Sequence, residues 1–105
     1  MPAETLQVAL TLDQTVWWVD SESTPHLIDA MSATHREAVI DYLVVRARSL
    51  LLAVQETAAR ARAGSAAGRA ARSLLAAGVR LEDCDAWLES TLLMGRLRLL
   101  SGRDF

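Results

Sequence analysis

The chain has 105 residues, of which 51% are hydrophobic and 23% charged, so it is long enough for one small domain and too apolar to be disordered. The formal net charge of −2 excludes a uniformly basic nucleic-acid coat. The only cysteine, Cys84, cannot form an intrachain disulfide, and no uncharged run approaches the roughly 20 residues of a membrane span. We therefore expect one domain over residues 1–105, in the cytoplasm and without a membrane partner.

Charge is segregated along the chain. Residues 1–45 contain seven acidic residues and one arginine, whereas residues 46–80 contain seven arginines and one acidic residue. All eleven basic residues are arginine. Either the two parts neutralise each other by packing together, or they present separate charged faces to partners.

The first 31 residues predict a small β-region. Large apolar side chains alternate over residues 6–12, which is the period of a strand with one buried face. Residues 15–19 are aromatic and β-branched and would form the antiparallel partner, with residues 26–28 as a short third strand. Because a lone hairpin is marginal in water, it must lie against a helix.

A long helix is predicted over residues 33–62. Ser32 or Thr34 can cap its N-terminus, and neither glycine nor proline occurs before Gly64. Thirty helical residues measure about 45 Å. A compact chain of this size has a diameter of roughly 33 Å, so the helix would extend beyond its own domain.

An apolar stripe along this helix is the predicted seam of a homodimer, although the chain's own third helix could cover it instead. The stripe has the spacing of a buried helix face. The seam residues are Ile40, Leu43, Ala47, Leu50, Leu51 and Val54.

Residues 64–105 predict a helical hairpin. Ser65 can cap a helix over residues 66–77, and Gly78 stands where a left-handed residue commonly ends a helix. A third helix is expected over residues 82–100. The overall prediction is an α+β fold, with a β-hairpin or three-stranded meander (1–31) packed on a long helix (32–63) that two further helices follow.

The hairpin at residues 66–90 has the proportions of a helix-turn-helix, which makes a DNA-binding regulator the alternative function. Nearby arginines could contact phosphates. However, Glu82, Asp83 and Asp85 open the helix that would enter the groove, and their charge would oppose a polyanion.

No motif predicts an enzyme, a metal site or a cofactor. His26, His35 and Cys84 do not have the spacing of zinc ligands. Cys84 lies on an apolar stripe, where a thiol usually acts as a small hydrophobe. No phosphate-binding loop or nucleophile elbow is present.

Two surfaces are candidates for partner binding. Trp17 and Trp18 are adjacent, so a strand would place one in the core and the other on the far face. The second surface is the arginine-rich segment 60–80. Its candidate contact residues are Arg60, Arg62, Arg69 and Arg72.

The stretch from Trp17 to Ala47 resembles small phage and prophage proteins of actinobacteria. It contains an aromatic strand, a His26-x-Ile28-x-x-Met31 segment and a helix with an early His35. The resemblance implies a phage or mobile-element accessory protein in the host cytoplasm. With it, the sequence favours a non-enzymatic, dimeric interaction protein that binds a protein partner, and a bacterial host protein is one candidate.

Overall fold

The fold is mostly helical, with one small antiparallel sheet. The structure is a computed structural model that describes residues 3–20, 22, 24–62, 64–76 and 78–102, with side chains from Val8 onward. Its elements are α1 (Ala3–Leu12), β1 (Trp17–Val19), β2 (Pro25–Leu27), α2 (Ala33–Val45), α3 (Ala47–Arg60), α4 (Ala66–Leu74), α5 (Cys84–Glu89) and α6 (Leu92–Gly102). Short 3-10 turns span Ile28–Ala30 and Leu81–Asp83. This content is consistent with the predicted α+β class.

The predicted first strand is wrong, because residues 3–12 form the helix α1. Ala9 and Leu12 are buried, whereas Leu10 points to solvent. The buried positions therefore follow a helical spacing of three, and the alternation of large apolar residues is coincidental. α1 packs against α3 and α4.

A two-stranded hairpin is present, but it joins the second and third predicted strands. β1 pairs with β2 in antiparallel register, with Trp17 opposite Leu27 and Trp18 opposite His26. Asp20 accepts hydrogen bonds at Oδ1 from the amides of Glu22 and Thr24, which closes the turn between the strands. No third strand occurs in the described part of the chain.

The predicted long helix is interrupted at Arg46, whose backbone (φ −104°, ψ 12°) is not helical. The Arg46 amide donates to the carbonyl of Leu43 rather than that of Tyr42. The Arg46 guanidinium donates to the Tyr42 carbonyl (3.2 Å) and lies 3.9 Å from the centre of the Tyr42 ring. The side chain of Arg46 thus satisfies the backbone acceptor that the break releases.

Packing explains the break better than local sequence does. α2 packs mainly on α6, whereas α3 packs on α1, α4 and α5. Two helices of about 20 Å each, at 1.5 Å per residue, can follow different neighbours. The expected overhang of one straight rod is therefore not observed, and the molecule measures 41 × 28 × 19 Å.

Of the two predicted C-terminal helices, the first begins at residue 66 as expected, and the second, expected over residues 82–100, is replaced by the two helices α5 and α6. Ser65 caps α4 by accepting a hydrogen bond from the Gly68 amide (3.0 Å), and Gly78 has the left-handed φ of 69°. The predicted helix end, Ala77, lies outside the described residues. The expected third helix is divided at Thr91, whose hydroxyl donates to the Leu88 carbonyl and accepts from the Met94 amide.

The core of this single chain contains most of the predicted dimer seam. Ile40, Leu43, Ala47, Leu51 and Val54 are buried, and Leu50 is partly buried against the same cluster. These side chains are covered by the chain's own helices, as expected if the stripe packs within one chain rather than against a second copy. They are consequently not available to a second copy of this fold.

Candidate interaction surface

The outer face of the hairpin exposes apolar side chains. Trp17 and Leu27 face each other in the register, which places their side chains on the same face of the sheet. They remain 44% and 47% exposed, and Val16 beside them is 50% exposed. Trp18 is partly buried against the core, with its ring 5.9 Å from that of Tyr42 in an edge-on arrangement. The predicted division of the two tryptophans between opposite faces is confirmed.

Neither edge of the sheet is well suited to receive another strand. The Gln14 carboxamide accepts from the amides of Val16 and Trp17 and donates to the Trp17 carbonyl, so it occupies the outer edge of β1 as a neighbouring peptide would. On the other strand, Pro25 has no N–H, and the chain turns into a 3-10 helix at Ile28. Recognition at this face must therefore use side chains.

A shallow depression of about 590 Å³ adjoins the same face. It is lined by Thr15, Val16, Leu27, Asp29, Ala30 and Arg96. Arg96 holds both carboxylate oxygens of Asp29 through Nη2, each at 3.0 Å. This contact links α6 to the 3-10 turn after β2, and it places one fixed ion pair beside the apolar residues.

Asp20, His26 and His35 form a small polar group on the other side of the hairpin. His26 Nε2 lies 2.8 Å from Asp20 Oδ2, and the rings of His26 and His35 meet edge-on at 5.4 Å. The hydrogen bond from His26 lowers the pKa of Asp20 below its ordinary value, and the amides of Thr24 and Glu22 add to the effect. Among the described residues, no group of three or more histidine, cysteine or acidic side chains is arranged to hold a metal ion.

The four predicted arginines lie at the end of α3, in the connection that follows it and on α4, and we call this region the basic corner (Arg60, Arg62, Arg69 and Arg72). Arg72 Nη2 donates to the Ala58 carbonyl of α3 (3.3 Å), and Arg69 Nη1 donates to the Gly64 carbonyl (2.5 Å). The Arg62 carbonyl accepts from the Ser65 amide (3.0 Å). All four side chains are exposed.

The helix-turn-helix geometry is not favourable for reading DNA. α5 has only six residues, and Trp87 and Leu88 are buried. Its exposed positions are Asp85, Ala86 and Glu89, so the surface offered to a groove would be acidic. The Trp87 indole donates to the Leu74 carbonyl (2.9 Å), which fixes α5 against the end of α4.

Cys84 is partly buried against the core, as its apolar stripe predicted. None of the described helices is long and apolar enough to cross a membrane.

No protein-family model, curated protein or solved structure matches this chain. The resemblance to phage and prophage proteins therefore stays a prediction.

Sequence reasoning identified Trp17 but missed the residues that complete its surface. Leu27 and Val16 carried no separate signal, because their exposure depends on which strands pair. The capping of a sheet edge by Gln14 depends on α1 being a helix, which the sequence did not predict. The Asp29–Arg96 contact joins residues 67 positions apart and has no local pattern.

Proposed function

We propose that this chain is a non-enzymatic interaction module that binds a protein partner through the outer face of its hairpin. The observation that carries the proposal is the exposed Trp17–Leu27 pair on a sheet whose β1 edge is occupied by the Gln14 side chain. Tryptophan is enriched at the centres of protein interfaces because its ring buries a large area at low entropic cost. The Arg96–Asp29 ion pair supplies a polar rim, as interfaces commonly have.

Self-association through the α2–α3 stripe is not part of this proposal, because the stripe is used by the core. A phage or mobile-element origin, which the resemblance of residues 17–47 implies, is compatible with such a module. The proposal does not depend on that origin.

The test is capture of a partner from an actinobacterial lysate by three forms of the protein. The wild type is compared with Trp17→Ser/Leu27→Ser and with a matched control, Leu92→Ser/Leu99→Ser. The control removes two exposed apolar residues from α6 instead. We expect one captured protein to be retained by the wild type and the control and lost by the hairpin variant, while circular dichroism shows all three to be folded. Equal capture by all three forms would contradict the proposal.

A further inference from the structure

Among the described residues, most of the charge of the basic corner is not paired with an acidic side chain. The ion pairs among the described residues are His26–Asp20, Arg60–Glu56, Arg80–Glu82, Arg96–Asp29 and Arg98–Glu89. None of them joins an arginine of segment 46–80 to an acidic residue of segment 1–45. Within the corner only Arg60 approaches a carboxylate, and its Nε lies 3.7 Å from Glu56. As far as the structure describes their side chains, the two oppositely charged parts of the chain therefore do not neutralise each other by ion pairing.

Two guanidinium groups of the corner are already held in place. Arg69 and Arg72 each donate to a main-chain carbonyl and keep further N–H donors for an outside acceptor. Gly68 precedes both of them on α4, and Arg72 Nη1 is close to the position that a Cβ of Gly68 would occupy. Fixing a side chain before binding reduces the entropy that binding must remove.

We propose that the basic corner binds an acidic protein segment, a short run of aspartate or glutamate residues. Guanidinium groups match carboxylates through paired N–H donors, and three of the four have no carboxylate among the described residues. A duplex nucleic acid fits less well, because a long polyanion crossing this helical hairpin would meet exposed Glu82, Asp83 and Asp85. This inference rests on the proposed function only in taking the ligand to be protein.

The test uses fluorescence anisotropy with a labelled ten-residue glutamate peptide, a ten-residue glutamine peptide and a 20-base-pair duplex as probes. The corner variant is Arg62→Gln/Arg69→Gln. The control, Arg48→Gln/Arg80→Gln, removes the same charge from exposed positions outside the corner. Trp17→Ala is included to separate this site from the hairpin.

We expect the glutamate peptide to bind the wild type at low ionic strength and the glutamine peptide not to bind. The corner variant should lose about tenfold in affinity, whereas the control should lose less than threefold. The Trp17→Ala variant should bind the peptide as the wild type does, so failure of the hairpin proposal leaves this test intact.

Three results would overturn the inference. The first is an equal loss of peptide affinity in the corner variant and the control. The second is binding of the glutamine peptide as tightly as the glutamate peptide. The third is tighter binding of the duplex than of the peptide, with the duplex affinity lost in the corner variant, because that would assign the corner to nucleic acid.

Discussion

At the scale of single residues, the helix-interior glycines Gly68 and Gly95 have opposite surroundings. A Cβ on Gly68 would lie 2.3 Å from the Arg62 carbonyl oxygen, whereas a Cβ on Gly95 would meet nothing within 4 Å. α4 can approach the turn that precedes it only because position 68 has no side chain. The joint that carries the basic corner therefore depends on this glycine.

We expect Gly68→Ala to lower the free energy of unfolding by about 1–3 kcal/mol, because a backbone oxygen must move to admit the methyl group. Gly95→Ala should raise it by about 0.5–1 kcal/mol, because alanine loses less conformational freedom in a helix. Urea denaturation of both variants measures the difference. Equal destabilisation by the two substitutions would contradict the close packing at Gly68.

The Asp20–His26 contact predicts a pH dependence. Because the folded pKa of Asp20 is lowered from 3.8, its interactions stabilise the fold above that pH and are lost as the pH falls through the folded pKa. We expect the pKa of the Asp20 carboxyl, followed by NMR, to rise in His26→Ala. It should remain below the ordinary value because the amides of Thr24 and Glu22 still donate.

The matched control for that titration is His35→Ala, which removes the ring that touches His26 and leaves the Asp20–His26 hydrogen bond in place. An unchanged Asp20 pKa in His26→Ala would show that the histidine is not the main cause of the shift.

At the scale of secondary-structure elements, the sequence predicted the starts of helices better than their continuity. Ser32 and Ser65 both act as N-caps, because a hydroxyl near free amide groups is a local feature. The interruptions at Arg46 and Thr91 contain neither glycine nor proline. They arise because successive helices pack on different neighbours, and a linear pattern does not contain that information.

Residues 3–12 show the same limit of sequence-based prediction, because here the sequence predicted a strand and the structure has a helix. Alternating large apolar residues fit a strand, but alanine, leucine, glutamate and glutamine are also strong helix formers. Packing of α1 against α3 and α4 decided between the two. The opposite faces of Trp17 and Trp18 could be predicted, because alternation along a strand follows directly from backbone geometry. The positions of Leu27 and Arg96 at the site could not be predicted. Leu27 is placed by strand pairing with Trp17, and Arg96 by its contact with the distant Asp29.

Thr91 separates α5 from α6, and the residue is only 3% exposed. We expect Thr91→Val to lower the free energy of unfolding by about 1–3 kcal/mol, because the Leu88 carbonyl and the Met94 amide both lose a partner. Thr34→Val, on the exposed first turn of α2, is the control and should change it by less than about 0.5 kcal/mol. Thermal denaturation distinguishes the two. A Thr91 variant as stable as the wild type would show that the hydroxyl does not define the helix boundary.

At the scale of the whole molecule, charge segregation persists in three dimensions. The acidic segment 1–45 and the basic segment 46–80 could have neutralised each other by packing together. Among the described residues, however, no ion pair joins an acidic residue of the first segment to an arginine of the second. The basic corner is the clearest case, since only one of its four arginines, Arg60, pairs with a carboxylate among the described residues.

Removing one of these charges should relieve repulsion. We expect Arg62→Gln to raise the free energy of unfolding by up to about 0.5 kcal/mol at low ionic strength, with the gain disappearing in 1 M NaCl, where the Debye length is about 3 Å. Arg98→Gln is the contrasting control, because it breaks the two hydrogen bonds to Glu89 and should lower stability. Denaturant titrations at both salt concentrations measure the signs. Destabilisation by Arg62→Gln at low salt would contradict the absence of a partner.

The interruption at Arg46 also has a consequence for local unfolding of the molecule. α2 belongs with α6, and α3 belongs with α1 and α4, so one continuous stretch of chain participates in two packing units. Because a single non-helical residue joins α2 to α3, we expect motion of one helix to be only weakly coupled to motion of the other. We therefore expect amide hydrogens of α2 and α3 to exchange with solvent through separate local openings, with the unit that contains the basic corner and the unit that contains α6 fluctuating independently.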